Sequence, residues 1–212
     1  MPQVIEVHPE NPQARLLKQA AQILHGGGIA AVPTDSSYAL VCHLDDKPAA
    51  EKLRRLRGVD DKHHLTLLCR DLSELATYAR VDNKQYRLLK LGTPGPFTFI
   101  LEATKIVPRR VSHPSRRTVG LRVPAHKVLR ELLDVFGQPL LSTTLIPPGE
   151  TEPLNDPDEI RERFAGQLQV VVDAGACTME PTTVVDLSGD VPLVGRLGRG
   201  DPALLGLMAA EG

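Results

Sequence analysis

Helix signals and strand signals alternate along most of this 212-residue chain, but three strand signals follow one another near its C-terminal end. The helical segments place apolar residues on one face, whereas the strand segments are short, β-branched and bounded by turn residues. Alternation favours parallel strands connected by helices, and strands without an intervening helix favour antiparallel pairing. The pattern therefore predicts an α/β (α+β) fold with a mixed parallel/antiparallel sheet flanked by helices.

The first helix has the clearest boundaries. Asn11 is a typical N-cap, Pro12 suits the first helical position, and the glycines at 26–28 end the apolar pattern. A strand or a short helix is expected at 38–43. The same signals predict helices at 12–25, 48–57, 71–79, 82–91, 124–136 and about 158–164, and strands at 29–33, 65–69, 97–102, 118–123, 139–143, 168–173, 183–187 and 192–196.

The composition fits one hydrophobic core and no membrane partner. Apolar residues make up 42% of the chain, and its longest apolar runs are far shorter than the roughly 18 to 20 residues that span a bilayer. Residues 1–10 contain two acidic residues and no Lys or Arg, unlike the basic start of a signal peptide. We therefore expect one domain and a cytoplasmic location.

The cysteines and the aromatic residues each argue against a class of binding site. Cys42, Cys69 and Cys177 are far apart and odd in number, which disfavours a disulfide framework or a structural zinc site and predicts buried thiols. Aromatic residues make up only 3% of the chain, and Trp is absent. An aromatic stacking platform for single-stranded nucleic acid is therefore not expected.

The charges are segregated along the chain although the formal net charge is only −1. Residues 51–130 contain 18 Lys and Arg against 7 Asp and Glu, and the remaining segments are acidic. Two interpretations stay open, because blocks of sequence interleave on folding. The surface is either mixed in charge or carries one face that binds anions.

Four segments carry side chains suited to ligands, and each also has a purely structural interpretation. Residues 33–38 suit a small polar ligand or an ordinary turn. Arg55 and Arg57 suit bidentate binding of an anion or the negative end of a helix. The segment 105–117 suits a cationic flap over phosphates, an RNA-contacting loop or a solvated hairpin loop. Residues 141–145 offer hydroxyl groups to phosphate or ribose, or form an edge strand.

Several established signatures are absent from the sequence, among them a Walker A loop, G-x-G-x-x-G, H-E-x-x-H and G-x-S-x-G. His63 and His64 are adjacent but have no further ligands at a metal-binding spacing. A metal site built from protein side chains alone is therefore not expected.

Seven short motifs follow one another along nearly the whole chain, and they are Pro33-Thr34-Asp35 with Tyr38, Arg55-x-Arg57, Pro94-Gly95-Pro96-Phe97-Thr98, Val119 to Pro124, Ser142-Thr143-Thr144, Pro181 to Asp186, and Arg196. Each is weak alone, but in this order they resemble the YrdC/YciO family of threonylcarbamoyl-AMP synthases. The family fold is a twisted mixed sheet around a large, positively charged concave surface. The resemblance implies one such domain at 9–200, with terminal extensions at 1–8 and 201–212.

The resemblance also implies a nucleotidyltransferase that joins threonine, bicarbonate and ATP into threonylcarbamoyl-adenylate and pyrophosphate, for threonylcarbamoyladenosine modification of tRNA. Such a protein positions a carbamate against the α-phosphate and offsets the charge there, while Mg²⁺ is held largely by the triphosphate. No nucleophile on the protein is needed. The implied roles are catalysis by Arg55 and Arg57, threonine binding by Thr34, Tyr38, Arg57 and Thr182, and nucleotide binding by Thr98, Arg122, Ser142, Thr144 and Arg196.

Two departures from the synthase pattern favour the YciO branch of the family. Arg55 stands where the synthases usually carry lysine, and the apolar Ile146 stands where they carry asparagine, so a hydrogen-bonding amide is lost. A second function therefore stays open, which is binding of double-stranded RNA or tRNA without efficient synthase activity. The candidate RNA contacts are Arg109, Arg110, Arg116 and Arg117.

Overall fold

A ten-stranded sheet with helices on both faces dominates the computed structural model, which describes residues 1–208. The strands are β1 (Gln3–Glu6), β2 (Ala30–Val32), β3 (Ala39–His43), β4 (Thr66–Leu68), β5 (Phe97–Glu102), β6 (Thr118–Arg122), β7 (Leu140–Thr144), β8 (Val170–Asp173), β9 (Thr183–Asp186) and β10 (Leu193–Arg196). The helices are α1 (Ala14–His25), α2 (Lys47–Arg57), α3 (Leu72–Tyr78), α4 (Asn83–Gly92), α5 (Lys127–Phe136) and α6 (Pro157–Arg163), followed by a 3-10 turn at Pro202–Leu205.

The sheet is mixed, and its strand order is β1-β8-β2-β3-β7-β4-β6-β5-β9-β10. The pairs β1–β8, β2–β8, β4–β6 and β5–β9 are parallel. The pairs β2–β3, β3–β7, β4–β7, β5–β6 and β9–β10 are antiparallel. The predicted α/β fold with a mixed parallel/antiparallel sheet is therefore confirmed.

Side chains of the central strands alternate between two hydrophobic layers. In β3, Ala39 and Val41 pack in the layer formed with α1 and α5. Leu40 and Cys42 pack in the other layer, which α2, α3, α4 and α6 cover. This is the period of two that a strand imposes on its side chains. Because both faces are covered, these strands are almost continuously apolar in sequence.

Local signals place the helix that leads into the site. The Asp46 carboxylate accepts the N–H of Ala49 at 2.9 Å and caps α2 at its start. Gly58 ends α2 in the left-handed conformation, with φ of +70°, as the sequence predicts. The chain therefore turns directly after Arg57 and enters the loop that precedes β4.

The first helix begins later than predicted. Its first residue is Ala14 and its N-cap is Gln13, which makes no side-chain capping bond. Asn11 lies three residues before Ala14, and its N–H and that of Glu10 donate to the His8 Nδ1 atom at 3.1 and 3.2 Å. The predicted N-cap therefore belongs to a turn before the helix.

Strand β1 lies inside the segment 1–8 that the sequence analysis treats as an extension. It pairs in parallel with β8 at the edge of the sheet, and Ile5 and Val7 are buried among the side chains of α1 and α5. At the other end, Leu205 is 3% exposed and belongs to the opposite layer. Residues 209–212 of the second predicted extension lie outside the described residues.

The cysteines are free thiols. Cys42 and Cys69 are buried, as predicted, whereas Cys177 is only partly buried. No helix within residues 1–208 combines the length and the apolar character that a membrane span requires.

We expect Ile5→Ala to lower the free energy of unfolding by about 2 kcal/mol or more, because it removes a buried side chain and leaves a cavity. Urea denaturation measures this change. The matched control is Glu6→Ala, an exposed position on the same strand, which should change the stability by less than about 0.5 kcal/mol. Equal effects of the two substitutions would show that β1 is not part of the folded core.

Candidate functional site

A cleft of about 290 Å³ lies where several strands of the sheet present short polar side chains. Thr66 of β4, Thr98 of β5 and Thr144 of β7 line it, together with Thr182, which directly precedes β9. The loop between α2 and β4 adds Lys62, His63 and His64, and the end of β10 adds Arg196.

A small hollow of about 20 Å³ continues this cleft and shares with it the threonines 66, 98, 143, 144 and 182. The two spaces meet because β3, β7, β4, β6, β5 and β9 are consecutive neighbours in the sheet. Motifs that are far apart in sequence are thereby joined. The predicted site residues brought together here are Tyr38, Thr98, Arg122, Ser142, Thr144, Thr182 and Arg196.

The hydroxyl groups of the cleft are fixed by hydrogen bonds. The Oγ1 atoms of Thr98 and Thr182 are 2.8 Å apart, and Arg196 Nη2 donates to Thr182 Oγ1 at 3.1 Å. The Ser142 hydroxyl donates to the carbonyl of Thr66 at 2.9 Å. Each hydroxyl keeps at least one donor hydrogen or lone pair beyond these bonds, so the cleft offers positioned groups to a polar ligand.

Positive charge at the cleft is not balanced by carboxylates: Arg196 lines the cleft, and Arg57 lies beside it, close enough to His63 and Arg196 for their charges to interact. Arg57 and Arg196 belong to none of the ion pairs found within residues 1–208. Partial burial lowers the pKa of the Arg57 guanidinium, and its buried Nε atom has no hydrogen-bond partner in that part of the chain. Partial burial also lowers the pKa of Arg196, followed by repulsion from Arg57 and Arg122.

The imidazole of His63 lies in the same positively charged surroundings. Partial burial and then the charges of Arg57, Arg54 and Arg196 lower the pKa of its imidazole. Cations held close together without a counter-charge are unfavourable in a protein, and an anionic ligand relieves that cost. The charge of the cleft therefore suits an anion.

One carboxylate beside the cleft is already engaged. Asp35 accepts hydrogen bonds from Arg122 Nη2 and, at 3.1 Å, from the N–H of Ala125. The side chains of Asp35 and Arg122 are 14% and 7% exposed. This ion pair ties the loop after β2 to the end of β6 and holds Arg122 at the edge of the cleft, with an Nε atom that has no partner among residues 1–208.

The hydroxyl groups of Thr34 and Tyr38, which the resemblance places near threonine, are bonded within the protein. Thr34 Oγ1 donates to the carbonyl of Ser37 at 2.6 Å and lies 3.3 Å from Arg122 Nη2. The Tyr38 hydroxyl donates to the carbonyl of Gly175 at 2.9 Å, and burial raises the pKa of this phenol far above its usual value. Tyr38 borders the hollow, whereas Thr34 shapes the loop that contacts Arg122.

Arg55 does not lie in the cleft. It is exposed and lines a different hollow with Pro147 and Pro148. Residues two apart on a helix point to different sides, so Arg55 does not turn toward the same place as Arg57. The two guanidinium groups therefore start from different sides of α2.

Arg54, three residues before Arg57, shares its side of α2 and was not recognised from the sequence. Its Nη1 atom donates to the carbonyl groups of Asp60 and His63 at 2.5 and 3.0 Å. These bonds fix the loop that carries Lys62 and His63 into the cleft. The spacing of three residues on a helix is the signal that could have identified Arg54.

The segment 105–117 is not a free flap, because Val107 and Val111 are 5% and 1% exposed and pack in the core. Its arginines are exposed and have different neighbours. Arg110 donates to the carbonyl of Leu44 at 3.2 Å, and Arg116 lies 3.7 Å from the carboxylate of Asp186. The two other RNA candidates, Arg109 and Arg117, line a second cleft that is described below.

In the sequence, His63 and His64 are candidates only for metal binding, but both line the cleft. Nε2 of His64 lies 2.7 Å from the hydroxyl of Thr118. Burial, followed by repulsion from His113 and Arg116, lowers the pKa of His64 to about 4. His64 is therefore neutral near pH 7. Within residues 1–208, no three His, Cys, Asp or Glu side chains are grouped so as to hold a metal ion.

The family profile named Sua5/YciO/YrdC and described as telomere recombination matches residues 22–198. The chain belongs to this family. It is 48% identical over 201 residues to YciO of Escherichia coli K12, an uncharacterized protein, and the match covers 95% of this chain and 98% of that protein. It is 31% identical over 172 residues to the threonylcarbamoyl-AMP synthase of Halorhodospira halophila, covering 80% and 89% of the two chains.

Solved structures of the family have the same fold. The crystal structure of E. coli YciO matches with a TM-score of 0.94 and 47% identity, covering 97% of this chain and all of that one. The structure of P. abyssi Sua5 complexed with L-threonine matches with a TM-score of 0.85 and 24% identity, covering 92% of this chain and 57% of that one. At this identity, the match supports a shared fold and nothing more. The predicted resemblance to the YrdC/YciO family, and to its YciO branch, is therefore confirmed.

We expect Asp35→Asn to lower the free energy of unfolding by about 3 kcal/mol, because Arg122 would keep a buried charge without its partner. Urea denaturation near neutral pH gives the value. The matched control is Asp134→Asn, an exposed acid on α5, which should have an effect below about 0.5 kcal/mol. A loss below about 1 kcal/mol for Asp35→Asn would contradict the importance of this ion pair.

The low pKa of His64 predicts a pH-dependent stability. Between its usual pKa of 6.5 and the folded value of about 4, the unfolded chain binds a proton that the folded chain does not. The contribution of His64 to stability is therefore complete above pH 6.5 and is lost as the pH falls toward 4, by at most about 1.4 kcal/mol per pH unit. Denaturation at a series of pH values should show a shallower slope for His64→Gln, and equal slopes would rule the effect out.

Proposed function

We propose that this protein is a threonylcarbamoyl-AMP synthase that joins L-threonine, bicarbonate and ATP. The observation that carries the proposal is the cleft, in which Arg196 lies among fixed hydroxyl groups and, like the neighbouring Arg57, has no carboxylate partner within residues 1–208. The substrates of this reaction carry a carboxylate, a bicarbonate and a triphosphate. Guanidinium groups suit all three, because they form charge-assisted and bidentate hydrogen bonds with planar and tetrahedral oxyanions.

In the proposed nucleotide site, Arg122 and Arg196 bind phosphate oxygens, and the hydroxyl groups of Thr98, Ser142 and Thr144 bind the remaining polar atoms of the nucleotide. The side chains of Ile100 and Val184 line the same cleft and offer an apolar surface to the base. Mg²⁺ enters with ATP and is held mainly by its phosphates. This fits the lining of the cleft, since the nearby Asp35 carboxylate is already bonded to Arg122 and Ala125.

In the proposed threonine site, Arg57 binds the carboxylate, and Thr182 together with the ring of Tyr38 bounds the amino acid. The amine and bicarbonate form a carbamate with loss of water. A carbamate oxygen then forms a bond to the α-phosphorus, and the bond from that phosphorus to the bridging oxygen of the leaving group breaks, releasing pyrophosphate. The side chains position the two reactants and stabilise the charge on the phosphoryl oxygens, so no covalent intermediate on the protein is required.

The relatives support this proposal to different degrees. The protein from H. halophila, which is named a threonylcarbamoyl-AMP synthase, shares 31% of aligned residues with this chain. The more similar YciO proteins are uncharacterized. Arg55 lies outside the cleft, so its difference from the lysine of the synthases does not remove a cation from the cleft itself.

Binding of double-stranded RNA or tRNA is the second candidate function. The exposed arginines of the segment 105–117 favour it, because cations that contact phosphates release counterions and give affinity without base contacts. Arg109 and Arg117 are the stronger candidates, since Arg110 bonds to a backbone carbonyl and Arg116 pairs with an acid.

The purified protein should form threonylcarbamoyl-adenylate from ATP, threonine and bicarbonate, detected by mass spectrometry together with threonine-dependent release of pyrophosphate. Arg57→Gln and Arg196→Gln should each lower kcat/KM roughly 10- to 100-fold, since each removes a charged hydrogen bond worth about 1.5 to 3 kcal/mol. The matched control is Arg15→Gln, an exposed position on α1 that should leave kcat/KM within about twofold. Absence of the adenylate at protein concentrations at which an established synthase forms it would refute the proposal.

The variant Arg55→Gln tests whether Arg55 takes part in the reaction, as the resemblance implies, or lies outside the active site, as its position on α2 indicates. If the cleft is the active site, this variant should retain most of the activity, whereas a loss as large as that of Arg57→Gln would mean that Arg55 reaches the substrates.

A further inference from the structure

A second cleft, of about 300 Å³, lies at the end of β5 and shares no lining residue with the first. Arg80, which follows α3, forms one side of it together with Glu102 of β5. Lys105, Arg109 and Arg117 of the segment 105–117 line the rest. The reaction proposed above assigns no role to these side chains.

The charge of this second cleft is also unbalanced. Arg80 Nη1 lies 3.1 Å from Glu102 Oε1, so this acid is already paired. Lys105, Arg109 and Arg117 belong to none of the ion pairs of the described chain. Three cations without a counter-charge therefore surround a space large enough for a phosphate group.

The backbone that carries these cations is well fixed. Arg117 has a left-handed φ of +53°, which residues other than glycine rarely adopt. Its carbonyl accepts the N–H of Ala103 at 2.9 Å, and its own N–H donates to the carbonyl of His113 at 3.0 Å. The Ser112 hydroxyl donates to the carbonyl of Arg109 at 3.1 Å. The side chains are long and exposed, but they start from defined positions.

We propose that this second cleft is a separate phosphate-binding site, with Lys105, Arg109 and Arg117 as its contacts. Two guanidinium groups and an ammonium group can together satisfy a phosphate through charge-assisted hydrogen bonds. The phosphate belongs either to a small free anion or to the backbone of an RNA helix, and both present the same chemistry to these side chains. The site does not depend on the synthase reaction.

The test is an NMR titration of the full chain, in which the backbone amide signals of residues 102–117 are followed. The probes are inorganic phosphate and, separately, a double-stranded RNA of about 16 base pairs. The variant K105Q/R109Q/R117Q removes the three cations, and K105Q/R109Q replaces it if the left-handed Arg117 does not tolerate substitution. The matched control R15Q/K18Q/R130Q removes the same charge from exposed positions on α1 and α5.

We expect at least one probe to shift signals within 102–117, with an affinity that falls at least tenfold in the triple variant and stays within about twofold in the control. Shifts with inorganic phosphate would identify a site for a small anion. Shifts with RNA alone would identify backbone recognition, and the log–log dependence of affinity on salt should then become shallower by about 1 for each lost contact. The proposal would be overturned if neither probe bound, or if the triple variant and the control weakened binding equally. Failure of the synthase assay alone would leave it intact.

Discussion

Guanidinium groups that form no ion pair within the described residues determine which ligands the first cleft, the one lined by Arg196, can bind. Arg57 and Arg196 are partly withdrawn from water, repel one another, and meet no carboxylate in the described part of the chain. The Asp35 carboxylate beside the cleft is bonded to Arg122 and to a backbone N–H. The protein thus holds Arg122 in place with its own acid, whereas Arg57 and Arg196 have no such counter-charge in the described residues. An anion is the ligand that this arrangement favours.

The topology of the sheet makes this arrangement possible. Thr98 and Thr182 are distant in sequence, yet their hydroxyl groups are 2.8 Å apart because β5 and β9 are parallel neighbours. Ser142 reaches the carbonyl of Thr66 in the same way, through the antiparallel pair β4–β7. The hydrophobic layer formed with α1 and α5 contains no side chain of β5, β6 or β9, so Thr98 of β5 and Val184 of β9 line a cleft on the part of the sheet that this layer leaves uncovered. The hydroxyl cradle and the cations therefore meet at one cleft.

Much of the fold follows from local signals in the sequence. Gly58 ends α2 and Asp71 and Asp82 cap their helices as residue chemistry predicts, because capping involves only neighbours along the chain. Long-range partners could not be predicted. The four-residue strand β1 is too short to show a period, and α1 begins three residues after the predicted N-cap Asn11. In the site, the motifs identified Arg57 and Arg196, but only the helix geometry separates Arg55 from them, and only the fold shows that the Tyr38 hydroxyl is used by Gly175.

Calorimetric titration of the protein with ATP and Mg²⁺ tests the central claim, that unbalanced positive charge makes the first cleft an anion site. One ATP should bind per chain, with an affinity that weakens as salt is added and falls at least tenfold in Arg196→Gln, since a charged hydrogen bond to phosphate is worth about 1.5 kcal/mol or more. Absence of binding, or an affinity that Arg196→Gln leaves unchanged, would contradict the account.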